Sequence, residues 1–261
     1  MRRAVVAALL AVGLLTACGL PLPVSTDQRA EARSIAAAIQ SLERHGAVFD
    51  LDQTVQLTGG QIPSGQELQQ RMTVTGGRLR DDDASFRFRL SVGGQHIDLD
   101  MVIADQQLFV RSAGSSGAAW RATPVASVTV LFPALRLDLL RETTLLALSI
   151  SPAGIGHVGA GFARRFAISP APPQLEELET IPVVGAAEKA FLRTAQAQVD
   201  VYLVIPSGQL GGAEVHLTGT DPVSGIRQQV DSHLELRATQ VPRISPPAQA
   251  QLVDPGSILT G

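Results

Sequence analysis

Apolar positions recur first at helical spacing and then at alternate positions along this chain. Ile35, Ile39 and Leu42 stand three or four residues apart, with Ala32 and Ala36 beside them. Ser25-Thr26-Asp27 supplies N-cap oxygens, and Gln28 lies three residues after Ser25 as a capping-box partner. Gly46 follows as a stop. Together these predict one amphipathic helix whose stripe packs on a core. From Ala47 the period changes to two. Phe49, Leu51, Val55 and Leu57 alternate with polar residues, and Met72 and Val74 open a second strand after a Gly/Pro/Ser-containing loop.

The next unit is the most tightly specified. Phe86, Phe88, Leu90 and Val92 alternate with Ser85, Arg87, Arg89 and Ser91 up to Gly93-Gly94. Ile97, Leu99, Met101 and Ile103 then alternate with His96, Asp98 and Asp100. A two-residue turn at the glycines sets Leu90 opposite Ile97, Phe88 opposite Leu99 and Phe86 opposite Met101. On the other face Arg89 meets Asp98 and Arg87 meets Asp100. A slip of one residue would destroy both matches, so the register is determined. The ion pairs mark the wet face and are worth only about 0.2–1 kcal/mol each.

Further on, Leu108-Phe109-Val110 continues the sheet after a turn at Asp105 to Gln107. Pro133 opens an apolar helix through Leu135, Leu139 and Leu140 to about Leu148, and a Gly-rich stretch follows. Phe162 to Ile168 reads as a strand, and Gln174 to Ala197 as a helical region broken at Pro182. Val199-Val201-Leu203-Ile205, Ala213-Val215-Leu217 and Val230 with Leu234-Leu236 read as three closing strands. The tail after Thr239, with Pro242, Pro246, Pro247 and Pro255, reads as unstructured. There is no internal repeat. The expected class is α+β: a curved antiparallel half-barrel with helices on or over its concave face, in one domain over residues 27–240 with a disordered tail over 241–261.

The N-terminus is an address. Met1-Arg2-Arg3 precedes an unbroken apolar run, Ala4 to Leu15. That run is short of the roughly 20 residues a spanning helix needs, but it suits a secretory leader. It ends in Leu15-Thr16-Ala17-Cys18, a bacterial lipobox in which the Cys thiol takes a diacylglycerol and the chain is cut before it. Cys18 is the sole cysteine of the 261 residues. Residues 1–17 are thus read as a leader and 18–26 as a lipidated tether, stiffened by Pro21 and Pro23. Two acyl chains, at about 0.8 kcal/mol per buried methylene, would hold the protein on the outer face of a cell membrane.

Composition removes whole classes of function. A net charge of −3 argues against a nucleic-acid partner, and 4% aromatic residues are too few for stacking platforms. Gly154-Ile155-Gly156-His157-Val158-Gly159 has the spacing of a dinucleotide loop, but strand-like residues follow where a helix is needed, so the glycines read as loop residues. The five histidines, His45, His96, His157, His216 and His233, share no metal-ligand spacing, and Asp81-Asp82-Asp83 reads as a solvated turn. Gly114-Ser115-Ser116-Gly117 is a flexible loop rather than a nucleophile elbow. No catalytic set and no cofactor is expected. Two states of the concave face stay open: helices that fill it, giving an ordinary core, or helices that lid it, leaving a greasy pocket.

In the order and spacing of these elements the chain resembles the mycobacterial LppX/LprAFG family of glycolipid-carrying lipoproteins. The resemblance runs from the lipobox at Cys18 and the first helix through the Phe88 to Met101 hairpin. It continues in Asp105-x-x-Leu108-Phe109-Val110 with Trp120, then in Pro133 before a Leu-rich helix and Val158-Gly159 before Phe166-x-Ile168. Val199-x-Val201-x-Leu203, Leu210-x-x-Ala213 and Leu234-x-Leu236 complete it. The chain departs from the family in having Phe132 before Pro133, no Trp after the last strand, and a longer Gly59 to Gln69 loop. The resemblance implies a half-barrel related to the periplasmic lipoprotein carrier fold, without catalysis. It would hold the acyl chains of a di- or triacylated lipid or glycolipid and pass it across the envelope, with a membrane transporter as a conceivable partner. Exposing about sixteen methylenes to water costs roughly 13 kcal/mol, which a cavity avoids. The expected lining is Phe86, Phe88, Leu90, Ile97, Leu99 and Met101 on one side. Val201, Leu203, Val215, Leu217, Leu234 and Leu236 form the other. The rival expectation is an envelope lipoprotein with a filled core that binds a transporter or a cell-wall component.

Overall fold

The computed structural model of the chain describes residues 26–254 other than 61, 64–66, 82, 115–116, 125–136, 146, 148, 160, 170–194 and 223. Helix α1 (Thr26–His45) leads into β1 (Ala47–Gly59), β2 (Leu68–Arg80), β3 (Asp83–Val92), β4 (Gln95–Ala104), β5 (Gln107–Ser112) and β6 (Trp120–Pro124). A second helix, α2 (Leu137–Leu145), precedes β7 (Ser149–Val158), β8 (Gly161–Ser169), β9 (Gln196–Val204), β10 (Leu210–Thr220), β11 (Ile226–Ala238) and β12 (Ala250–Leu252). The strands form one open, curved sheet in the order β12-β6-β5-β4-β3-β2-β1-β11-β10-β9-β8-β7. Every pairing is antiparallel except that of β12 with β6. The class is α+β, an open half-barrel.

The β3–β4 hairpin has the register that its alternation predicts, from Phe86 opposite Met101 to Leu90 opposite Ile97. Arg89 Nε donates to Asp98 at 2.6 Å and Arg87 Nε to Asp100 at 3.0 Å. Arg111 of β5 joins Asp100 from the far side at 3.1 Å and lies 4.5 Å over the Trp120 ring. The hydrogen bond from Arg89 holds the Asp98 carboxyl below the usual carboxylate range.

Helix α1 lies across the concave face. Ile35 and Ile39 are wholly buried and Leu42 nearly so. Gly46 ends it at φ +86°, donating its N–H to the Leu42 carbonyl at 2.8 Å. A Cβ there would meet both the Leu79 carbonyl oxygen and Val241 Cβ at 2.8 Å, so only glycine fits.

Four expectations change. As far as residue 254 the Pro-rich tail is docked rather than loose: Val241 is buried, its carbonyl accepts from Arg80 Nη1 at 2.9 Å, and Ala250–Leu252 add a parallel strand to β6; residues 255–261 of that expectation lie outside the described residues. Proline forbids helix and ladder donation, but it suits an extended segment lying along a surface. The Gly154–Gly159 stretch is mostly strand β7, bulged between Pro152 and Ile155 and paired with β8 rather than followed by a helix. Its Gly156 makes room for Tyr202, whose ring would stand 3.0 Å from a Cβ there. Strand β9 begins at Gln196, so the predicted helical region stops short of Ala197; residues 174–194 of that expectation lie outside the described residues. Helix α2 ends at Leu145 rather than about Leu148, and Pro133 lies outside the described residues.

A tight contact at the sheet's centre offers a stability test. Phe49 of β1 lies flat against Gly77 of the bulged β2, where an added Cβ would stand 2.5 Å from the ring, and packs edge-on against Phe86 at 5.8 Å. Gly77→Ala is expected to lower stability by ~1–3 kcal/mol through overpacking, read as a lower urea midpoint with unchanged slope. Combining it with Phe49→Leu should cost less than the sum of the two single changes.

Candidate functional site

The strand registers divide the concave face into rows, and burial falls from row to row. One row runs Leu99, Phe88, Val74, Leu51, Leu234, Ala213, Val201, Phe166 across eight strands. All eight are buried, none more than 7% exposed. Phe86, Met101, Leu203 and Leu236 lie nearer the α1 end and join the same cluster as Ile35, Ile39 and Leu42. The next row outward is mixed: Met72 and Val199 are buried, Leu90 and Val215 half-buried, and Ile97 is 50% exposed. Beyond it Val230 is buried while Val55, Val92 and Leu217 are half-buried, and in the outermost row Leu57 is half-buried and Leu68 43% exposed.

The gradient follows from lengths. A helix lying across strands covers about its own width, roughly 10–12 Å, while a strand of 13 residues reaches about 43 Å. The helix, which packs on β2, β7, β9 and β10, crosses the strands and covers only part of their length. Of the twelve expected lining residues, Phe86, Phe88, Leu99, Met101, Val201, Leu203, Leu234 and Leu236 therefore sit in packed core. Leu90, Val215 and Leu217 sit on the half-covered rows. Ile97 departs from expectation: it is three residues past Gly94 at the hairpin end, where nothing described covers it. Cys18 lies outside the described residues.

A buried polar pair interrupts the apolar face, which farther out also carries Gln70 opposite Val55 and Gln228 opposite Leu57. Ser232 Oγ donates to Gln53 Oε1 at 2.9 Å with both residues buried, at the border between the packed and half-covered rows. Alternation alone marks 53 and 232 as inward positions, so the polar residue types there are the signal that pattern reading passes over.

The opposite face carries a groove of about 650 Å³ bordered by Asp52, Arg71, Asp200, Glu214, Asp231 and His233, among others. Its carboxylates are engaged. Arg71 forks onto Asp52, Gln229 and His216 bond Asp231, and Tyr202 Oη donates to Glu214 at 2.9 Å. Burial works to raise the Asp231 pKa, yet the Gln229 and His216 hydrogen bonds leave it below the ordinary carboxylate range. Arg165 Nη2 reaches Asp200 Oδ2 at 2.8 Å, while Arg165 Nε and Asp200 Oδ1 stay buried without partners. Those two atoms are the other arm of the same fork, so the pair is a bidentate bridge half made. Among the described residues no three His, Cys, Asp or Glu side chains converge to hold a metal, and no helix is long and apolar enough to cross a membrane.

No protein-family model matches the chain, and no curated sequence does. Solved structures are alike in outline. LprF from Mycobacterium bovis is 10% identical at a TM-score of 0.46, with 87% of this chain and 99% of that one aligned. The lipoprotein LppX from Mycobacterium tuberculosis is 11% identical at 0.42, over 84% and 98%. A LolA-superfamily protein from Nitrosomonas europaea is 10% identical at 0.27, over 81% and 94%.

Tyr202 is the chain's single tyrosine, which makes the polar face directly titratable. Burial, then its hydrogen bond to Glu214, pushes its pKa up to about 12 from 10.0. A group whose folded pKa is raised contributes stability that is present below the unfolded value and lost as pH climbs through the folded one. Stability should therefore fall between pH 10 and about 12. Tyrosinate absorbance should appear with a midpoint near the upper figure and shift downward in Glu214→Gln.

Proposed function

We propose that the chain is an envelope lipoprotein, anchored through acylated Cys18, that holds the acyl chains of a di- or triacylated lipid or glycolipid on the concave face and carries it across the aqueous envelope. The observation that carries this reading is the continuation of the apolar face past the reach of α1. Val55, Leu57, Leu90, Val92 and Leu217 remain half-buried there, an aliphatic shelf contiguous with a packed core. Such a surface gains about 25 cal/mol for each Å² that a hydrocarbon chain covers. It makes no directional demand on the chain, which suits binding of methylenes rather than catalysis. The Gln53–Ser232 pair stands at the edge of that shelf, where the ester end of a lipid could exchange hydrogen bonds with it.

A second reading has its own observation. The middle row, from Leu99 through Leu51 to Phe166, is packed shut, as a filled-core module that docks a transporter or cell-wall component would require.

Native mass spectrometry of the chain from residue 18 onward with Cys18→Ser, purified from lipid-containing cells, separates the two. The carrier predicts a discrete added mass of a di- or triacyl lipid, lost on organic extraction. The filled core predicts a clean protein mass that native envelope lipids do not change. Leu217→Trp, on the half-covered rows rather than in the packed one, should cut lipid occupancy severalfold with little change in the unfolding midpoint; undiminished occupancy would count against the shelf as the binding surface.

A further inference from the structure

Of the seven exposed large apolar side chains among the described residues, three gather at one corner of the sheet. Ile155 is 71% exposed, Phe162 59% and Ile205 39%. The register puts Ile155 opposite Arg164 and His157 opposite Phe162, with the two rings 4.6 Å apart. The Ile205 N–H donates to the Phe162 carbonyl at 2.9 Å, which brings the β9–β10 turn alongside. Alternation on β7 and β8 places Ile155, His157, Phe162 and Arg164 on one face. The result is an aliphatic and aromatic knob with a guanidinium at its margin, the composition that settles at a bilayer interface.

The length of chain ahead of the described residues says what covers it. Helix α1 is fixed at its C-terminal end beside β2, where the Asp81 N–H donates to the Glu43 carbonyl at 3.0 Å. Its other sheet contacts are with β7, β9 and β10, so its N-terminal half points toward the side of the sheet that bears this corner. Thr26 begins the helix, and Cys18 lies eight residues earlier. Eight residues reach at most about 26–29 Å when fully extended. Resting on the acylation of Cys18, we infer that the Ile155–Phe162–Ile205 corner docks onto the surface of the bilayer that holds the anchor. The tether sets the distance and the knob sets the orientation.

The test uses the acylated protein in phosphatidylglycerol/phosphatidylcholine vesicles, with an environment-sensitive fluorophore on Ile155→Cys, on Phe162→Cys or on Gln95→Cys. Acylation occupies the thiol of Cys18, so each variant carries one label, and Gln95 is an exposed position at the β3–β4 turn. Docking predicts quenching by brominated lipids at 155 and 162 and none at 95. Equal quenching at all three positions, or none at any while the protein stays on the vesicles and keeps its bound lipid, would overturn the docking and leave the carrier reading standing. Should Cys18 prove unacylated, flotation of the chain from residue 18 with Cys18→Ser decides the question without the anchor. The double change Ile155→Ser, Phe162→Ser is expected to lower the vesicle-bound fraction at least tenfold. An unchanged fraction, or a loss traced to a broken dimer by native mass, refutes docking.

Discussion

The pairing of β1 with β11 holds the rest of the molecule in place. These strands align over thirteen residue pairs, from Ala47 with Ala238 to Gly59 with Ile226. They join the sheet built by β2 to β6 to the sheet built by β7 to β10. Closing a loop of this length is entropically slow to repay, so its register needs strong specification. Phe49 faces Leu236, Leu51 faces Leu234 and Val55 faces Val230 on the concave side, while Asp50, Asp52 and Thr54 face outward. A slip of one residue would turn the two aspartates into the core.

Everything that bears on function is arranged around this seam. On the concave side it carries the packed middle row and then, farther from α1, the Gln53–Ser232 pair and the half-buried Val55 and Leu57. On the convex side it carries polar cross-strand links: the ion pairs Arg71 with Asp52 and Arg237 with Asp50, and hydrogen bonds between His233 and Glu214 and Glu235. Each exposed pair contributes little by itself, but together they join β2, β1, β11 and β10 across the seam. The two faces thus divide the work, one being charged and cross-linked, the other apolar and only partly covered.

Helix α1, with α2 packed against it and adding Leu137 and Leu140 to the same core, covers part of that apolar face. Its stop is imposed by Gly46, where Leu79 and Val241 leave no room for a side chain. The helix leaves the face at a defined angle, pinned between β2, the start of β1 and the tail at Val241, whose N–H bonds the His45 carbonyl. The tail therefore shapes the concave face by bracing the helix, although it contributes no residue to the shelf.

Local features were legible in the sequence. The β3–β4 register follows from a two-residue turn and from parity, both encoded within about twenty neighbouring residues, and α1 follows from a 3.6-residue stripe ended by a glycine. Periodicity reports which way a side chain points, so the inward set from Phe86 to Leu236 could be named in advance. It does not report how far the covering element reaches. Ile97 and Leu99 are alike in pattern, yet one is half exposed and the other buried, because α1 crosses the strands and covers only part of their length. The order of the proline-rich tail and the inward Gln53 facing Ser232 depend on partners more than a hundred residues away, whereas the strand in the Gly154–Gly159 stretch pairs locally with β8 and was hidden by its glycines. The sequence by itself determined the alternation, the turn and the faces. Only the tertiary structure decided which parts of those faces are covered, since coverage is a property of contacts between segments remote in the chain.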